Sequence, residues 1–278
     1  MSTLEFNHYG KHMVRLLRVN KNGPAHEVSE WEADILLEGD LEGSYFSEDN
    51  SSVVPTDTVK NTVLALAHDL EDASRDAFAL ALATHFITRY PHLTAADVEV
   101  REKLWTRMAP GGKPHPHSFV REANGMPFSF VRAERGQPAR RSAGVRGFII
   151  MKTTESGFVG YPKCDLTSLP ETTDRILATS MNARWDYAEG ATDHGTDVID
   201  TMLKVFAENY SPSVQRTLYQ MGEAALQFFP GLLRIKLTMP NSHYLNIDLT
   251  KVGRPAGQKK VFLPTNDPFG YIDAVVAR

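Results

Sequence analysis

The first residues of the chain alternate between apolar and polar side chains, which is typical of strands with one buried face. Segments 11–19 and 31–37 carry this period of two, the first of them only in part. The dipeptide Asn22-Gly23 between them favours a hairpin turn. The sequence therefore predicts that the chain begins with an antiparallel pair of strands.

The spacing of apolar residues then changes from two to three or four. Val59, Val63 and Leu66 continue this helical period, and so do Phe78 and Leu82. Two helices are predicted, over 57–70 and 75–90, and Pro91 is expected to end the second. Three further strands are predicted after them, at 98–106, 118–122 and 127–133.

The same order of elements returns in the second half of the chain. The polar, turn-rich stretch 134–138 separates the halves, so we predict domains at 1–136 and 137–278. Hairpin strands with helices grouped between them predict an α+β fold with antiparallel sheets. The elements predicted after the boundary are strands at 145–153 and 158–161, helices at 193–210 and 213–229, and strands at 232–239 and 243–249.

Composition excludes several classes of protein but does not indicate a reaction. The 278 residues are 42% hydrophobic and carry a net charge of −4, which fits a globular chain and argues against a general nucleic-acid binder. The longest apolar run, Ala77 to Ala83, is too short for a membrane helix. Cys164 is the only cysteine, so an intrachain disulfide and a two-thiolate zinc site are both excluded. With no secretory signal visible, a cytoplasmic location is expected.

Few motifs point to chemistry by spacing alone. The sequence contains no phosphate-binding glycine loop and no Gly-x-Ser-x-Gly elbow. His115 and His117 stand two residues apart and could chelate a metal, but a rigid, proline-flanked loop is the favoured interpretation, because no third ligand is near in sequence. Spacing therefore predicts no particular reaction.

Eight segments, in order along nearly the whole chain, resemble the urate oxidase (uricase) family. They are 9–11 (YGK), 56–62 (TDTVKNT), 115–119 (HPHSF), 152–158 (KTTESGF), 173–177 (TDRIL), 213–215 (SVQ), 240–244 (PNSHY) and 266–270 (NDPFG). The resemblance implies two tandem tunnelling-fold (T-fold) domains, with antiparallel sheets and helix pairs on one face, assembling into a barrel-like tunnel. It also implies a homotetramer with active sites at subunit interfaces.

The activity that the resemblance implies is the oxidation of urate by O2 and water to 5-hydroxyisourate and hydrogen peroxide, without cofactor or metal. Phe158 resembles the residue that stacks on the purine, and Arg175 the arginine whose planar fork grips it. Gln215 and the backbone of Val214 would pair with the opposite edge. The alternatives are a core phenylalanine, a solvated arginine on a helix, and a glutamine in the first turn of a helix.

The resemblance also implies a proton relay of Lys11, Thr56 and His243, with Asn241 beside the oxygen or water site. Thr56 and Asp57 would bind substrate from a neighbouring subunit. Each has an ordinary alternative: an N-cap for Thr56 or Asp57, a solvent-facing strand lysine for Lys11, and a strand histidine for His243.

Some positions depart from the family pattern without removing a candidate catalytic group. They are Pro55, Leu64 and Ser180, and the chain also ends without the Ser-Lys-Leu peroxisomal address. Three rivals stay open: a pterin or deazapurine enzyme that uses Cys164 as nucleophile, a catalytically inactive purine-binding T-fold protein, and an interaction protein without a ligand.

Overall fold

The computed structural model describes residues 3–70, 72–255, 257 and 259–278, except for the side chain of Asn266. The chain forms two compact units. The first comprises Met1–Gly144 and Asp186–Asp193, and the second comprises Val145–Trp185 and His194–Arg278. The predicted division between 136 and 137 stays a prediction. The stretch 134–138 forms the turn between two neighbouring strands, where the Gln137 N–H donates to the Glu134 carbonyl.

The first unit places an antiparallel sheet beneath a pair of helices. Strands β1, β2, β3 and β6 lie side by side in that order, and β7 follows β6. Strands β4 and β5 form a separate two-stranded sheet. The elements are β1 Tyr9–Asn20, β2 Glu27–Gly39, α1 Glu42–Phe46, α2 Thr56–Asp69, α3 Arg75–Arg89, β3 Leu93–Lys103, β4 Trp105–Arg107, β5 Phe119–Arg121, β6 Met126–Glu134 and β7 Arg140–Lys152.

Alternation along these strands gives the sheet one apolar and one charged face. The apolar face packs against the stripes of α2 and α3 that the sequence predicts, including Val63, Phe78 and Phe86. The intervening positions carry ion pairs, such as those from Arg101 to Asp34 and Glu99. The core of this unit is therefore confined to the space between the sheet and its two helices.

The second unit repeats this arrangement with its own helix pair. Strands β7, β8, β10 and β11 lie in that order, while β9 pairs with both β8 and β12. The helices bury a stripe that includes Met202, Phe206, Leu218 and Met221. The elements after β7 are β8 Leu177–Tyr187, α4 Asp197–Glu208, α5 Val214–Phe228, β9 Leu232–Thr238, β10 Asn241–Asn246, β11 Phe262–Gly270 and β12 Asp273–Ala277.

The predicted order of strands, two helices and strands is confirmed in both halves, with differences in detail. The predicted strand at 158–161 is wrong, because only Phe158 forms a bridge, to Thr172, and Gly160 turns the chain with a φ of 73°. Strands β8, β11 and β12 were not predicted. None of the described helices is long and apolar enough to cross a membrane.

Candidate active site

Segment 155–158 of the second unit is the structural centre of the candidate site. On one side it binds the connection between α4 and α5: the Gly157 N–H donates to the Ser211 carbonyl, and the Ser211 N–H donates to the Glu155 carbonyl, each at 2.8 Å. Residue 157 must be glycine, because a Cβ atom there would lie 2.3 Å from the Tyr210 hydroxyl oxygen and 2.9 Å from the Thr172 carbonyl oxygen. The segment is thus held against the beginning of α5.

The other side of the same segment binds the chain that leads into β8. Phe158 and Thr172 exchange two backbone hydrogen bonds, of 2.7 and 3.1 Å. The Arg175 N–H donates to the Ser156 carbonyl at 2.8 Å. One short segment therefore brings together Phe158, Arg175 and the N-terminal end of α5, which the sequence separates by up to 57 positions (215 minus 158).

Among the described residues of the second unit, no carboxylate pairs with Arg175. Its Nε atom is buried and has no hydrogen-bond partner among the described residues. Its guanidinium carbon lies 5.4 Å from the centre of the Phe158 ring. Burial lowers its pKa, but a guanidinium remains charged at neutral pH. The alternative of a solvated arginine on a helix is wrong, because Arg175 lies in the connection just before β8. This arrangement favours an anionic, planar ligand beside Phe158.

The first turn of α5 offers donors for the same ligand. Ser213 is the N-cap, and its hydroxyl accepts from the Arg216 N–H at 3.2 Å. Val214, the first residue of the helix, is buried, and Gln215, the second, is exposed. The N–H groups of a first turn have no partner within the helix and face anions favourably. The first-turn alternative for Gln215 is therefore confirmed, and it is compatible with a role in ligand binding.

Asn241 and His243 lie at the beginning of β10. Asn241 is paired with Thr179 of β8 and with Gly270 of β11. His243 is paired with Thr265, whose hydroxyl donates to the His243 carbonyl at 3.3 Å. The pairing with β11 shifts register between the two residues, opposite the motif 266–270; the side chain of Asn266 lies outside the described residues. The strand placement of His243 is confirmed, and its imidazole is half-buried.

Lys11, Thr56 and Asp57 lie in the first unit. Lys11 is half-buried in β1 opposite Ile35, and residue 10 must be glycine because a Cβ there would lie 1.9 Å from the Ile35 carbonyl oxygen. Thr56 and Asp57 are exposed and open α2. The N-cap alternative for these two residues is wrong, because Pro55 occupies the N-cap position and no side chain caps the helix.

Two contacts fix this group, and neither is indicated by a pattern in the sequence. The Tyr9 hydroxyl accepts a hydrogen bond of 2.7 Å from the Val54 N–H, which ties β1 to the residues that lead into α2. The Lys60 ammonium binds the Asp57 carboxylate and is the main cause that holds the Asp57 pKa below its usual range. The charge of Lys11 lowers the same pKa, so Lys11 lies close enough to Asp57 for the two charges to interact.

The described contacts of His115 and His117 agree with the favoured interpretation of this segment as a fixed loop. Arg107 fixes this loop by donating to the carbonyl oxygens of His115 and Pro116, at 2.9 and 2.7 Å. The His26 ring, distant in sequence, lies 6.0 Å from that of His117. The described group that meets metal-ligand distances is instead His8, Glu38 and Asp97, and Arg132 already binds both of its carboxylates.

Comparisons with known proteins agree over the whole chain. The family model described as Uricase matches residues 7–132 and 141–273. The uricase of Cyberlindnera jadinii is 36% identical, over 100% of this chain and 97% of its own length. The rabbit (Oryctolagus cuniculus) uricase is 35% identical, over 97% of this chain and 93% of its own.

Solved structures show the same relationship. The crystal structure of uricase from Arthrobacter globiformis superposes with a TM-score of 0.93 at 34% identity, covering 100% of this chain and 96% of that one. The urate oxidase of Bacillus sp. TB-90, at 22% identity and a TM-score of 0.87, shares the fold. The predicted α+β fold of two tandem T-fold domains is confirmed. The chain belongs to the uricase (urate oxidase) family.

Proposed function

We propose that this chain oxidises urate with O2 and water to 5-hydroxyisourate and hydrogen peroxide, without a cofactor, as a step of purine breakdown. The observation that carries the proposal is the half-buried Arg175, whose buried Nε atom has no partner among the described residues and whose guanidinium lies beside the Phe158 ring. Urate is a flat purine anion. Its negative charge would pair with Arg175, and its ring face would stack on Phe158. Loss of the ultraviolet band of urate in aerated buffer, together with oxygen uptake, tests the proposal.

Substrate would be held by stacking on one face and hydrogen bonding at two edges. Phe158 supplies dispersion and quadrupole complementarity to the purine face. Arg175 donates twice to one anionic edge. At the opposite edge the Gln215 carboxamide offers a donor beside an acceptor, and Val214 a backbone N–H. This arrangement fixes the ring plane before any proton moves, and such positioning lowers the barrier to the reaction that follows.

Proton transfer would be carried by Lys11, Thr56 and His243. Removing a second proton from bound urate produces an electron-rich dianion, which passes electrons to O2 directly. The oxidised purine then adds water, and the relay accepts the proton that the water loses. The two protons that the relay has taken, one from urate and one from water, combine with the O2 that has gained two electrons to give hydrogen peroxide. Asn241 would hold O2 and afterwards the water over the purine face, while Asp57 binds the remaining substrate edge.

We infer further that the active protein is a cytoplasmic homotetramer, in which Thr56 and Asp57 of one subunit complete the site of another. Two features support this assembly. Thr56 and Asp57 are exposed at the beginning of α2, where a neighbour can meet them. The second unit also exposes large apolar side chains that a second copy would cover, among them Ile149, Met151, Leu245, Leu263 and Val275.

Tyr9→Phe is expected to lower kcat for urate by on the order of tenfold, because the buried Val54 N–H loses its acceptor and the residues before Thr56 shift. Tyr45→Phe is the matched control, since the neighbouring Tyr45 side chain is 52% exposed. Equal kcat values for both variants and the wild type would show that Tyr9 does not position Thr56.

Cys164→Ala is expected to retain kcat within about twofold, since no step of the proposed mechanism uses a thiol. Cys164 is exposed in the loop between Phe158 and Thr172. Its pKa is lowered, chiefly by a hydrogen bond from the Leu166 backbone. Steady-state rates of Cys164→Ala and the wild type with urate test this expectation. Loss of activity on alanine substitution would instead favour the rival enzyme class that uses a nucleophilic cysteine.

A further inference from the structure

The Tyr161 ring lies against the Phe158 ring in a parallel, offset stack. The ring centres are 4.8 Å apart and the planes differ by 14°. Offset stacking at this distance is the favourable geometry for two aromatic rings. One face of Phe158 is therefore covered by a second aromatic side chain, and both rings are half-buried.

Tyr161 is itself fixed by contacts within its own loop, which runs from Phe158 to Thr172. The two backbone hydrogen bonds between Phe158 and Thr172 close this loop at its base. The Tyr161 hydroxyl donates to the Leu169 carbonyl at 2.5 Å, across the loop. The Lys163 ammonium lies 5.8 Å from the centre of the Tyr161 ring. The Tyr161 ring is thus held by the Lys163 ammonium over its face, by its hydroxyl and through the closed base of the loop.

Charged contacts brace the same loop. Glu171 accepts from the Gly160 N–H at 3.0 Å and forms an ion pair of 3.3 Å with Lys163. Gly160 has a positive φ of 73°, which reverses the chain so that Tyr161 returns over Phe158. These contacts therefore fix the loop in a conformation that places the Tyr161 ring on the Phe158 ring.

We propose that Tyr161 is a positioning residue that fixes the plane of Phe158, so that the other face of Phe158 stacks on the purine while Arg175 meets the purine's edge. The inference rests on the proposed function, because it requires that Phe158 stacks on urate. A ring held by neighbouring contacts loses less rotational freedom on binding, so it binds a flat ligand more tightly than a free ring does. Tyr161 does not itself contact the purine in this arrangement.

The test compares Tyr161→Leu, which removes the ring, with Tyr161→Phe, which keeps the ring and removes only the hydroxyl. Leu166→Ala is the matched control, because the Leu166 side chain lies in the same loop and is 91% exposed. Binding of urate is measured by calorimetry in oxygen-free buffer, and KM and kcat are measured in air. Thermal unfolding of each variant reports whether the fold is retained.

The expected result is that Tyr161→Leu weakens anaerobic urate binding and raises KM by roughly 3- to 10-fold, while kcat at saturating urate changes less than about 3-fold. Leu166→Ala should stay within about twofold of the wild type in all three quantities. Tyr161→Phe keeps the stacked ring and loses one of the contacts that hold it, so its losses in binding and in KM should be smaller than those of Tyr161→Leu. This split separates a positioning role from a loss of stability, which would lower the amount of active protein and leave KM unchanged.

Three results would overturn the inference. Unchanged binding in Tyr161→Leu would show that Phe158 needs no support. Equal losses in the leucine and phenylalanine variants would show that the hydroxyl, and not the ring, matters. Tighter binding in Tyr161→Leu would show that the Tyr161 ring occupies the place of the purine. A wild type that binds urate anaerobically but consumes no O2 would contradict the proposed oxidation and leave this test intact.

Discussion

Arg175→Ala is expected to lower kcat/KM for urate by about 10²- to 10³-fold, the largest effect of any binding residue. Removing one partner of a buried, hydrogen-bonded charge pair costs about 3–5 kcal/mol, because the other charge is left unpaired. The Arg175 Nε atom has no partner among the described residues, so no other group there competes for it. Arg175→Lys should recover only part of the loss, because an ammonium keeps the charge and lacks the planar fork.

A second measurement distinguishes binding from a structural role for the same residue. Arg175→Met fills a similar volume and removes a buried donor that has no protein partner. It is expected to raise the free energy of unfolding without ligand by about 1 kcal/mol while weakening urate binding about 10²- to 10³-fold, as Arg175→Ala does. Denaturant titrations in the presence and absence of urate measure both quantities. A variant that is destabilised without ligand would indicate that Arg175 stabilises the loop before β8. It would contradict the view that Arg175 stays unpaired until an anion binds.

Lys11→Met is expected to lower kcat by about 10²- to 10⁴-fold while anaerobic urate binding changes little, because positioned proton transfer contributes factors of that size. The side chains have similar length, so β1 and its pairing with β2 should be retained. Steady-state kinetics and calorimetry on the same preparation separate the two effects.

Lys60→Met is the informative comparison, since Lys60 also places a positive charge near Asp57. Its removal should return the Asp57 pKa toward its usual range and reduce kcat by less than about fivefold. If the two methionine variants lost activity equally, the charge near Asp57 would matter and a specific proton relay through Lys11 would be contradicted.

Much of the fold is predictable from periodicity because burial imposes it. The stripes at Val63, Phe78 and Phe86 form the helix faces that the pattern indicates. Strand β8 follows the same rule, with Met181, Ala183 and Trp185 buried and polar residues between them, so alternation alone was sufficient to predict it. Strand β11 contains two prolines, which argue against a strand by local rules, and β12 is only five residues long.

The candidate site is less predictable because tertiary contacts assemble it. The resemblance to urate oxidases identified Phe158, Arg175 and Gln215, but periodicity placed Phe158 in a strand that does not form. Tyr9 and Tyr161 were missed, although each lies within three positions of a residue that the resemblance singled out. Their roles depend on a hydrogen bond to Val54 and a stack on Phe158, which no local pattern encodes.

The most direct test of the account is to add urate to the purified, chelator-treated protein in aerated buffer. The ultraviolet band of urate, oxygen uptake and peroxide are followed together. We predict that urate and O2 disappear in equal amounts, that an equal amount of peroxide appears, and that the chelator leaves the rate unchanged. A folded, tetrameric protein that leaves urate and O2 unchanged would contradict the proposed oxidation and favour the inactive purine binder.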